Sequence, residues 1–382
     1  MEMDFHFSQE EQNLLDQIHD FAVRDVAPLA AELDREERFP AEALEKLRQM
    51  QMMGVCYPKE VGGRGCSYLV YIAMVEELAK YCAATSIMFA AHHSLGAFAL
   101  SALGTPAQKE KYLRPLVTGE KLGAFAATEP GAGTDLGSQQ TRAEDKGDHW
   151  LLNGSKIFIT NGFYADIYFV SAVTDPSQKS RGISAFIVEK GTPGFTFGKK
   201  EEKMGIRGSA TYELIFQDCC IPKENLLGEL SKGYKMALTT LDGGRISVAA
   251  QAVGIAQGAI DQCKEYVTGH DMGGQRIVQY QYTQFQLAEM QTKVDAARLL
   301  VYRAAQAKQD GEPYAREAAM SKLFASQTAV DVTRRCIDLV GADGVSQEYP
   351  FERMMRDAKI TEIYEGTSEV QRMVIAAAMG IK

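Results

Sequence analysis

A single acidic residue lies immediately before a helix-forming segment near the end of the sequence. In KITEIYEGTSEVQRMVIAAAMG, residues 359–380, Glu365 stands between a tyrosine and a glycine, and an apolar-rich helix is predicted to follow. Ser368 and Gln371 have the spacing of a capping box, which predicts that the helix begins there. The N–H groups at such a helix start, residues 367–369, suit a bound anion. The segment could therefore bind an anion beside a carboxylate, although on position alone a solvated carboxylate before a helix cap is the simpler interpretation.

Three other short segments carry residue types that could contact a ligand, and each has a plain structural alternative. TEPGAGTD, residues 128–135, is by itself most simply a turn. Phe158 in KIFIT is as well explained as a core residue of a strand. Asp242 and Arg245 in LDGGR are three residues apart and share one face of a helix start, which as bare sequence favours a surface ion pair.

The composition is that of an ordinary globular protein. The chain has 382 residues, 46% hydrophobic and 24% charged, which is enough for two or three packed units. A net charge of −9 argues against nucleic acid as a partner. It also argues against attraction to a membrane surface through the overall charge of the protein. We expect neither an export signal in the acidic first residues nor an apolar run as long as a membrane span. Seven dispersed cysteines without metal-ligand spacing predict reduced thiols and no metal site.

The hydrophobic pattern changes twice along the chain, which predicts three domains. Residues 1–121 are predicted to be helical, beginning with a capping box formed by Ser8 and Glu11. Residues 122–231 contain short β-branched and aromatic runs separated by turn residues, which predict a small antiparallel β domain with a hairpin turn at Asn153–Gly154.

Residues 232–382 return to a helical pattern. The predicted long amphipathic segments lie near residues 233–267, 281–309, 313–340 and 368–379. The order of helices, sheet and helices argues against a βαβ nucleotide-binding fold.

Five segments taken together resemble the acyl-CoA dehydrogenase family. They are AFAATEPGAGTD (124–135), LLNGSKIFITN (151–161), KMGIRGS (203–209), TLDGGR (240–245) and MRDAKITEIYEGTSEVQR (355–372). The resemblance covers essentially the whole chain, is closest to the short-chain, butyryl-CoA-like branch, and is far more specific than any one motif. It implies an α+β fold with an N-terminal α-helical domain, a middle antiparallel β domain and a C-terminal four-helix-bundle domain.

By this resemblance the protein is an FAD-dependent enzyme that oxidises a short-chain acyl-CoA to the enoyl-CoA. Removing the proton next to the thioester needs a base, which the resemblance assigns to Glu365. No side chain can accept the β-hydride, so a cofactor is required, and the resemblance assigns this role to N5 of FAD. A helix terminus lowers the pKa of Glu365 and an apolar pocket raises it, and we expect the pocket to dominate once substrate binds.

The resemblance further implies a homotetramer in the cytoplasm that passes its electrons to an electron-transferring flavoprotein. Two alternatives to the oxidation stay open from the sequence. The same site could run in reverse as an enoyl-CoA reductase, or the chain could be a non-redox lyase or CoA-ester binding protein with an eroded flavin site.

The resemblance also assigns residues around the two ligands. The residues expected to bind FAD are Phe125, Ala127, Thr128, Gly133, Thr134, Phe158, Thr160, Gln281, Gly341, Thr367 and Glu369. The residues expected to bind substrate are Thr134, Asp242, Arg245, Tyr364 and Gly366. Of these, Asp242 and Arg245 are expected to contact CoA, and Gly366 is expected to leave room for the thioester.

Four positions depart from the family pattern where it reaches FAD across a subunit interface. His270 and Gly273 stand where an arginine and a phenylalanine are expected, and Asp338 and Ala342 replace a glutamine and a glycine. Losing a cation beside a pyrophosphate weakens a charge-assisted contact, and an added carboxylate weakens it further. We therefore expect the protein to bind FAD but to lose it more readily than typical relatives; Arg276 could swing in to compensate.

Three further positions bear on the substrate side of the pocket. Ser86 stands where relatives acting on glutaryl-CoA carry an arginine, which argues against a terminal carboxylate on the acyl chain. His92 and His93 could polarise a short acyl group, but packing and hydrogen bonding in the core is the favoured interpretation. Arg207 could orient the wall of the site, and a structural salt bridge is an equally good interpretation.

Overall fold

Helices form the first third of the protein. A computed structural model describes residue 5 and residues 7–381 of the chain. The helices of this part are α1 Gln9–Phe21, α2 Ala30–Arg35, α3 Ala41–Gln49, α4 Tyr68–Tyr81, α5 Ala83–Ala91, α6 Phe98–Leu103, α7 Pro106–Gln108 and α8 Arg114–Val117. The predicted capping box at α1 is confirmed, since Ser8 and Glu11 each accept a hydrogen bond from the other's backbone N–H. A π-helical segment, His92–Ala97, connects α5 to α6.

The middle of the chain forms one twisted sheet with the strand order β6-β7-β3-β2-β4-β5-β8, and β1 also pairs with β4. Its strands are β1 Gly123–Ala126, β2 Arg142–Asp145, β3 His149–Thr160, β4 Ile167–Val173, β5 Ile183–Glu189, β6 Phe195–Lys200, β7 Thr211–Pro222 and β8 Leu226–Leu227. Most pairings are antiparallel, as predicted, while β1 and β2 pair with β4 in parallel.

The predicted hairpin turn at Asn153–Gly154 is wrong. Both residues lie inside β3, where the pairing with β7 shifts register, and the β2–β3 turn instead spans residues 146–148. Gly154 serves close packing: a Cβ there would lie 2.6 Å from the hydroxyl oxygen of Thr141. The Asn153 side chain accepts a hydrogen bond from the Asp218 N–H of β7 at 2.8 Å. The asparagine and glycine therefore belong to a bulge in the β3–β7 pairing and not to a turn.

The last part of the chain is helical again, which confirms the predicted order of helices, sheet and helices. Its helices are α9 Gly233–Gly269, α10 Gln281–Gln309, α11 Ala315–Val340, α12 Phe351–Ile360 and α13 Ser368–Ala378. Four of them match the predicted amphipathic segments, and α12 was not among those. A short hairpin of β9 Asp271–Met272 and β10 Gln275–Arg276 separates α9 from α10.

Helix α9 is the central element of the fold. It packs against α4, α10 and α11, and two of its glycines lie directly against the backbone of α4. A Cβ at Gly254 would overlap the carbonyl oxygen of Glu76, and one at Gly258 would overlap that of Lys80. The two helices therefore run in fixed register, and the third turn of α9 lies beside the start of α4, where Tyr68 donates a hydrogen bond to the Gly243 carbonyl at 3.3 Å.

One helical stretch, Ala83–Leu103, is long and apolar enough to cross a membrane, which differs from the sequence-based expectation that no run reaches that length. About 78% of its most apolar part is buried inside the fold, as in the core helix of a globular protein.

Candidate active site

The acidic segment forms a tight left-handed turn between α12 and α13. Glu365 has φ 53° and Gly366 has φ 98°, so two consecutive residues occupy the left-handed region. Gly366 suits this conformation, and a Cβ on it would also lie 2.8 Å from the amide nitrogen of Gln371. Among the residues that the structure describes, neither the Glu365 N–H nor the Gly366 N–H donates to an acceptor.

The capping box predicted from Ser368 and Gln371 is wrong by one position. Thr367 is the N-cap, accepting a hydrogen bond from the Val370 N–H at 3.5 Å, and Ser368 is already helical. Gln371 instead turns back and donates to the carbonyls of Gly366 at 2.7 Å and Glu365 at 3.4 Å. The polar side chains of this helix start therefore hold the turn that precedes it.

The Glu365 carboxylate is directed at the first turns of α9. Its Oε2 atom is fully enclosed and has no hydrogen-bond partner among the described residues. It reaches this place because residue 244 is glycine: a Cβ on Gly244 would lie 2.7 Å from the carboxyl carbon and 3.0 Å from a methyl group of Leu95. Glycine inside a helix is unfavourable, and the close approach of the carboxylate explains why residue 244 is a glycine.

Burial raises the pKa of Glu365 to about 7, and three cations limit the rise: Lys322, Arg245 and Lys308. The Lys308 ammonium lies 4.3 Å from the ring centres of both Tyr68 and Phe98, and burial lowers its pKa to about 8. The predicted rise in the pKa of Glu365 thus agrees with its surroundings, and the carboxylate is suited to accept a proton near neutral pH.

Asp242 and Arg245 form the predicted ion pair, with 2.6 Å between their charged atoms, but the expectation of a surface pair is wrong. Arg245 is buried, and its Nε also donates to the Glu365 carbonyl at 3.2 Å. Tyr364 is anchored on the other side of the turn, since its hydroxyl donates to the Gln251 side chain of α9. Four of the predicted substrate residues, Asp242, Arg245, Tyr364 and Gly366, are thus brought together with Glu365.

The sheet contributes a second group of predicted residues, around the loop that follows β1. The Ile157 N–H donates to the Thr128 carbonyl at 2.9 Å, which ties this loop to β3 and brings Phe125, Ala127 and Thr128 close to Phe158 and Thr160. A buried lysine also stabilises the loop. The Lys156 ammonium donates to the Glu129 carboxylate at 2.8 Å and to the Ala127 carbonyl at 3.1 Å. Burial raises the pKa of Glu129, but the charge of Lys156 and the hydrogen bonds from Lys156, Thr141 and Gln140 together outweigh burial, and the pKa lies below its ordinary value.

The segment His92–Ala97 joins the sheet to the acidic turn. His92 accepts a hydrogen bond from the Gly123 N–H of β1 and approaches the carbonyls of Met53 and Leu116, so both ring nitrogens are engaged in the core. Gly96 packs directly against Gly123, and the neighbouring Leu95 reaches Gly244. The segment His92–Ala97 therefore contacts β1 on one side and the surroundings of the Glu365 carboxylate on the other.

The residues present fit a planar aromatic cofactor with polar ends. Phe158 is 59% exposed with φ 57°, which is uncommon for an aromatic residue in a strand and leaves its ring available for stacking. A Cβ on Gly133 would meet no atom within 4 Å, so the loop faces open space, in which Thr134 is also exposed. At the start of α13, the buried Ser368 Oγ and Gln371 Oε1 have no partner among the described residues.

Some predicted residues lie away from this group within a single chain. Gln281 begins α10 and Gly341 follows α11, and both are exposed. At two of the four departing positions the side chain has a partner: the His270 ring stacks on Tyr266, and Asp338 pairs with Arg334 at 2.6 Å. Arg276 already pairs with Asp271 and the Gly269 carbonyl.

Three residues weighed from the sequence have structural partners. The Ser86 hydroxyl donates to the Val75 carbonyl at 2.8 Å. The buried His93 ring stacks on that of Tyr71, and Arg207 forms a salt bridge with Glu37.

The sequence-based reading missed Gly244, Lys156 and Lys322, and two of them left a signal. Gly243–Gly244 is a pair of glycines inside a helix, which marks a close approach. Lys322 falls among Ala318, Ala325 and Ala329 at helical spacing on a buried face, and a lysine is rarely fully buried.

Comparison with known proteins covers the whole length of the chain. Residues 8–120, 124–219 and 231–380 match the models of the acyl-CoA dehydrogenase N-terminal, middle and C-terminal domains, respectively. The chain is 50% identical over 374 residues to the short-chain specific acyl-CoA dehydrogenase of Clostridium acetobutylicum, covering 98% of this chain and 99% of the relative.

Solved structures are equally similar. Butyryl-CoA dehydrogenase from Megasphaera elsdenii matches with a TM-score of 0.97 and 50% identity, covering 99% of this chain and 100% of that one. A chain in a structure described as the electron-transferring flavoprotein of Acidaminococcus fermentans, in relation to flavin-based electron bifurcation, matches with a TM-score of 0.97 and 49% identity, covering 99% of both chains.

Proposed function

The chain belongs to the acyl-CoA dehydrogenase family, and from this premise we propose that it oxidises a short-chain acyl-CoA to the corresponding α,β-unsaturated thioester. The observation that carries the proposal is the Glu365 carboxylate, whose Oε2 is enclosed and has no hydrogen-bond partner among the described residues, and whose pKa burial raises to about 7. Relatives at 50% identity that are named short-chain enzymes support the substrate class. They do not favour a non-redox lyase or binding protein.

Glu365 is the base of the proposed reaction. Its ionised carboxylate accepts the proton from the carbon next to the thioester carbonyl, and its raised pKa makes that transfer more favourable than for an ordinary carboxylate. The free N–H of Glu365 is available to the thioester oxygen, where a hydrogen bond would stabilise the negative charge that develops as the proton leaves. FAD, when bound, supplies the acceptor for the hydride from the neighbouring carbon.

The remaining substrate residues orient the thioester against this base. We assign Asp242 and Arg245, which lie inside α9 rather than at its start, to the CoA arm. Tyr364 and Gly366 form the wall around the base, where the glycine also leaves space for the thioester. Thr134, exposed on the β1 loop, would contact the substrate from the side of the sheet.

FAD is the proposed cofactor. Its ring would be held by the β1 loop and β3. Its phosphates would be held at the start of α13, which follows the acidic turn. The residues assigned to it are Phe125, Ala127, Thr128, Gly133, Thr134, Phe158, Thr160, Gln281, Gly341, Thr367 and Glu369.

We further propose a cytoplasmic homotetramer that delivers electrons to an electron-transferring flavoprotein. The similarity to a chain from the Acidaminococcus structure supports that partner. Large exposed apolar side chains on α10, on α13 and directly after α13, among them Phe285, Met373 and Met379 at 56–66% exposure, support assembly with further copies of the chain.

The experiment is an anaerobic titration of the purified protein with butyryl-CoA. We expect a yellow protein whose visible flavin absorbance bleaches on addition, with crotonyl-CoA as the product. A colourless protein that cannot be reconstituted with FAD, or a flavin spectrum that no short acyl-CoA changes, would contradict the proposal.

A further inference from the structure

The backbone turn that carries Glu365 needs external support. A non-glycine residue in the left-handed region costs energy and persists only where its surroundings hold it. Glu365 and Gly366 form such a turn with both N–H groups unbonded within the described chain, so its carbonyl groups are the points at which it can be held.

Side chains from three helices donate to those two carbonyls. Arg245 of α9 donates to the Glu365 carbonyl at 3.2 Å, and Gln371 of α13 donates to both. Lys322 of α11 donates to the Gly366 carbonyl at 2.7 Å. The position of the base is thus tied to the relative placement of α9, α11 and α13.

Lys322 is the unusual member of this group. Its side chain is fully buried, and its ammonium pairs with no carboxylate within salt-bridge distance in the part of the chain that is described. An enclosed ammonium without a directly paired carboxylate is costly, burial lowers its pKa to about 7, and a methionine would fill the same space without that cost. The cost is offset only if the ammonium does something an apolar side chain cannot.

We propose that Lys322 is a positioning residue for the base, fixing the Glu365–Gly366 turn through the Gly366 carbonyl so that the carboxylate faces the α-carbon of the thioester. The inference rests on the proposed function. The charged groups around the ammonium are Glu365, Arg245, Glu362 and Glu369, while Lys308 approaches Glu365 from α10. Removing Lys322 therefore changes both the placement of Glu365 and its charge environment, and the test must separate the two.

The test measures proton abstraction alone. The probe is 3-thiabutanoyl-CoA, which has acidic α-protons and a sulfur atom in place of the β-carbon, so it can lose a proton but no β-hydride. Exchange of its α-protons for deuterium in D2O, with the FAD-loaded enzyme, is followed by NMR between about pH 6 and 9. Lys322→Met and Lys322→Arg are compared with wild type. Lys359→Met is the matched control, because Lys359 is an exposed lysine in the last turn of α12.

A positioning role predicts that Lys322→Met lowers the high-pH plateau of the exchange rate on the order of 100-fold, because a misplacement of about 1 Å has that effect. Lys322→Arg should recover most of the plateau, and Lys359→Met should match wild type. A crystal structure of Lys322→Met should show the 365–366 turn displaced.

An unchanged plateau with only a shifted midpoint would mean that Lys322 acts by charge alone, and the inference would be overturned. If Lys322→Met does not fold, Lys322→Leu takes its place under the same two outcomes. Absence of exchange in the wild-type enzyme would instead contradict the proposed function, so the two failures are distinguishable.

Discussion

Replacing Gly244 by alanine should impair catalysis without destabilising the fold. An added Cβ would lie 2.7 Å from the carboxyl carbon of Glu365, whereas ordinary contact begins near 3.4 Å. Because that Cβ would also overlap the nearer carboxylate oxygen, Oε2, the carboxylate must move by more than about 1 Å, and we expect the rate of proton abstraction to fall on the order of 100-fold. The group that moves is the end of a flexible side chain, and alanine is favoured over glycine inside a helix by up to about 1 kcal/mol. The unfolding midpoint should stay the same or rise.

The assay combines the rate of flavin reduction by saturating butyryl-CoA with thermal unfolding of the same preparations. Two other glycines of α9 serve as controls. At Gly269 a Cβ would meet no atom within 4 Å, so its alanine variant should behave as wild type. At Gly254 a Cβ would overlap the backbone of α4, so the unfolding midpoint of its alanine variant should fall below that of wild type. A Gly244→Ala enzyme with the wild-type rate would refute the idea that the carboxylate lies against α9.

Three further outcomes are expected. Lys156→Met leaves the buried carboxylate of Glu129 without its cation and should lower the free energy of unfolding by about 3–5 kcal/mol, measured by urea denaturation, whereas a change within error would contradict the buried pair. Burial raises the pKa of Glu365 from 4.5 to about 7, so its contribution to stability is lost as the pH rises through 7; Glu365→Gln should therefore raise the unfolding midpoint more at about pH 8 than at about pH 4, and an equal change at both would contradict the raised pKa. His270→Arg restores a cation to the segment expected near the FAD pyrophosphate and should slow FAD loss during dialysis relative to wild type, while a faster loss would contradict that assignment.

The sequence predicts the layout of helices and sheet well because long amphipathic periods and β-branched runs are local signals. Local polar motifs were less reliable, since their partners are set by tertiary contacts. Ser368 and Gln371 have capping-box spacing, yet Gln371 is drawn to the carbonyls of the preceding turn. The Asn153–Gly154 pair has hairpin chemistry, yet the close approach of Thr141, just before β2, requires a glycine within β3.

The sequence predicts those parts of the candidate site whose residues lie together in one short motif, as around Glu365. What could not be predicted is how the carboxylate is held. Lys322, Arg245 and Gly244 meet the turn from two other helices, more than 40 residues away in sequence, and no local pattern links them to it.

The most direct test of the central claim is the rate of flavin reduction by butyryl-CoA in FAD-loaded Glu365→Gln under anaerobic conditions. The glutamine keeps the size of the side chain but cannot accept the α-proton, so we expect the flavin spectrum to stay oxidised while the variant still binds both ligands. Bleaching at the wild-type rate would show that another group removes the proton and would contradict the account.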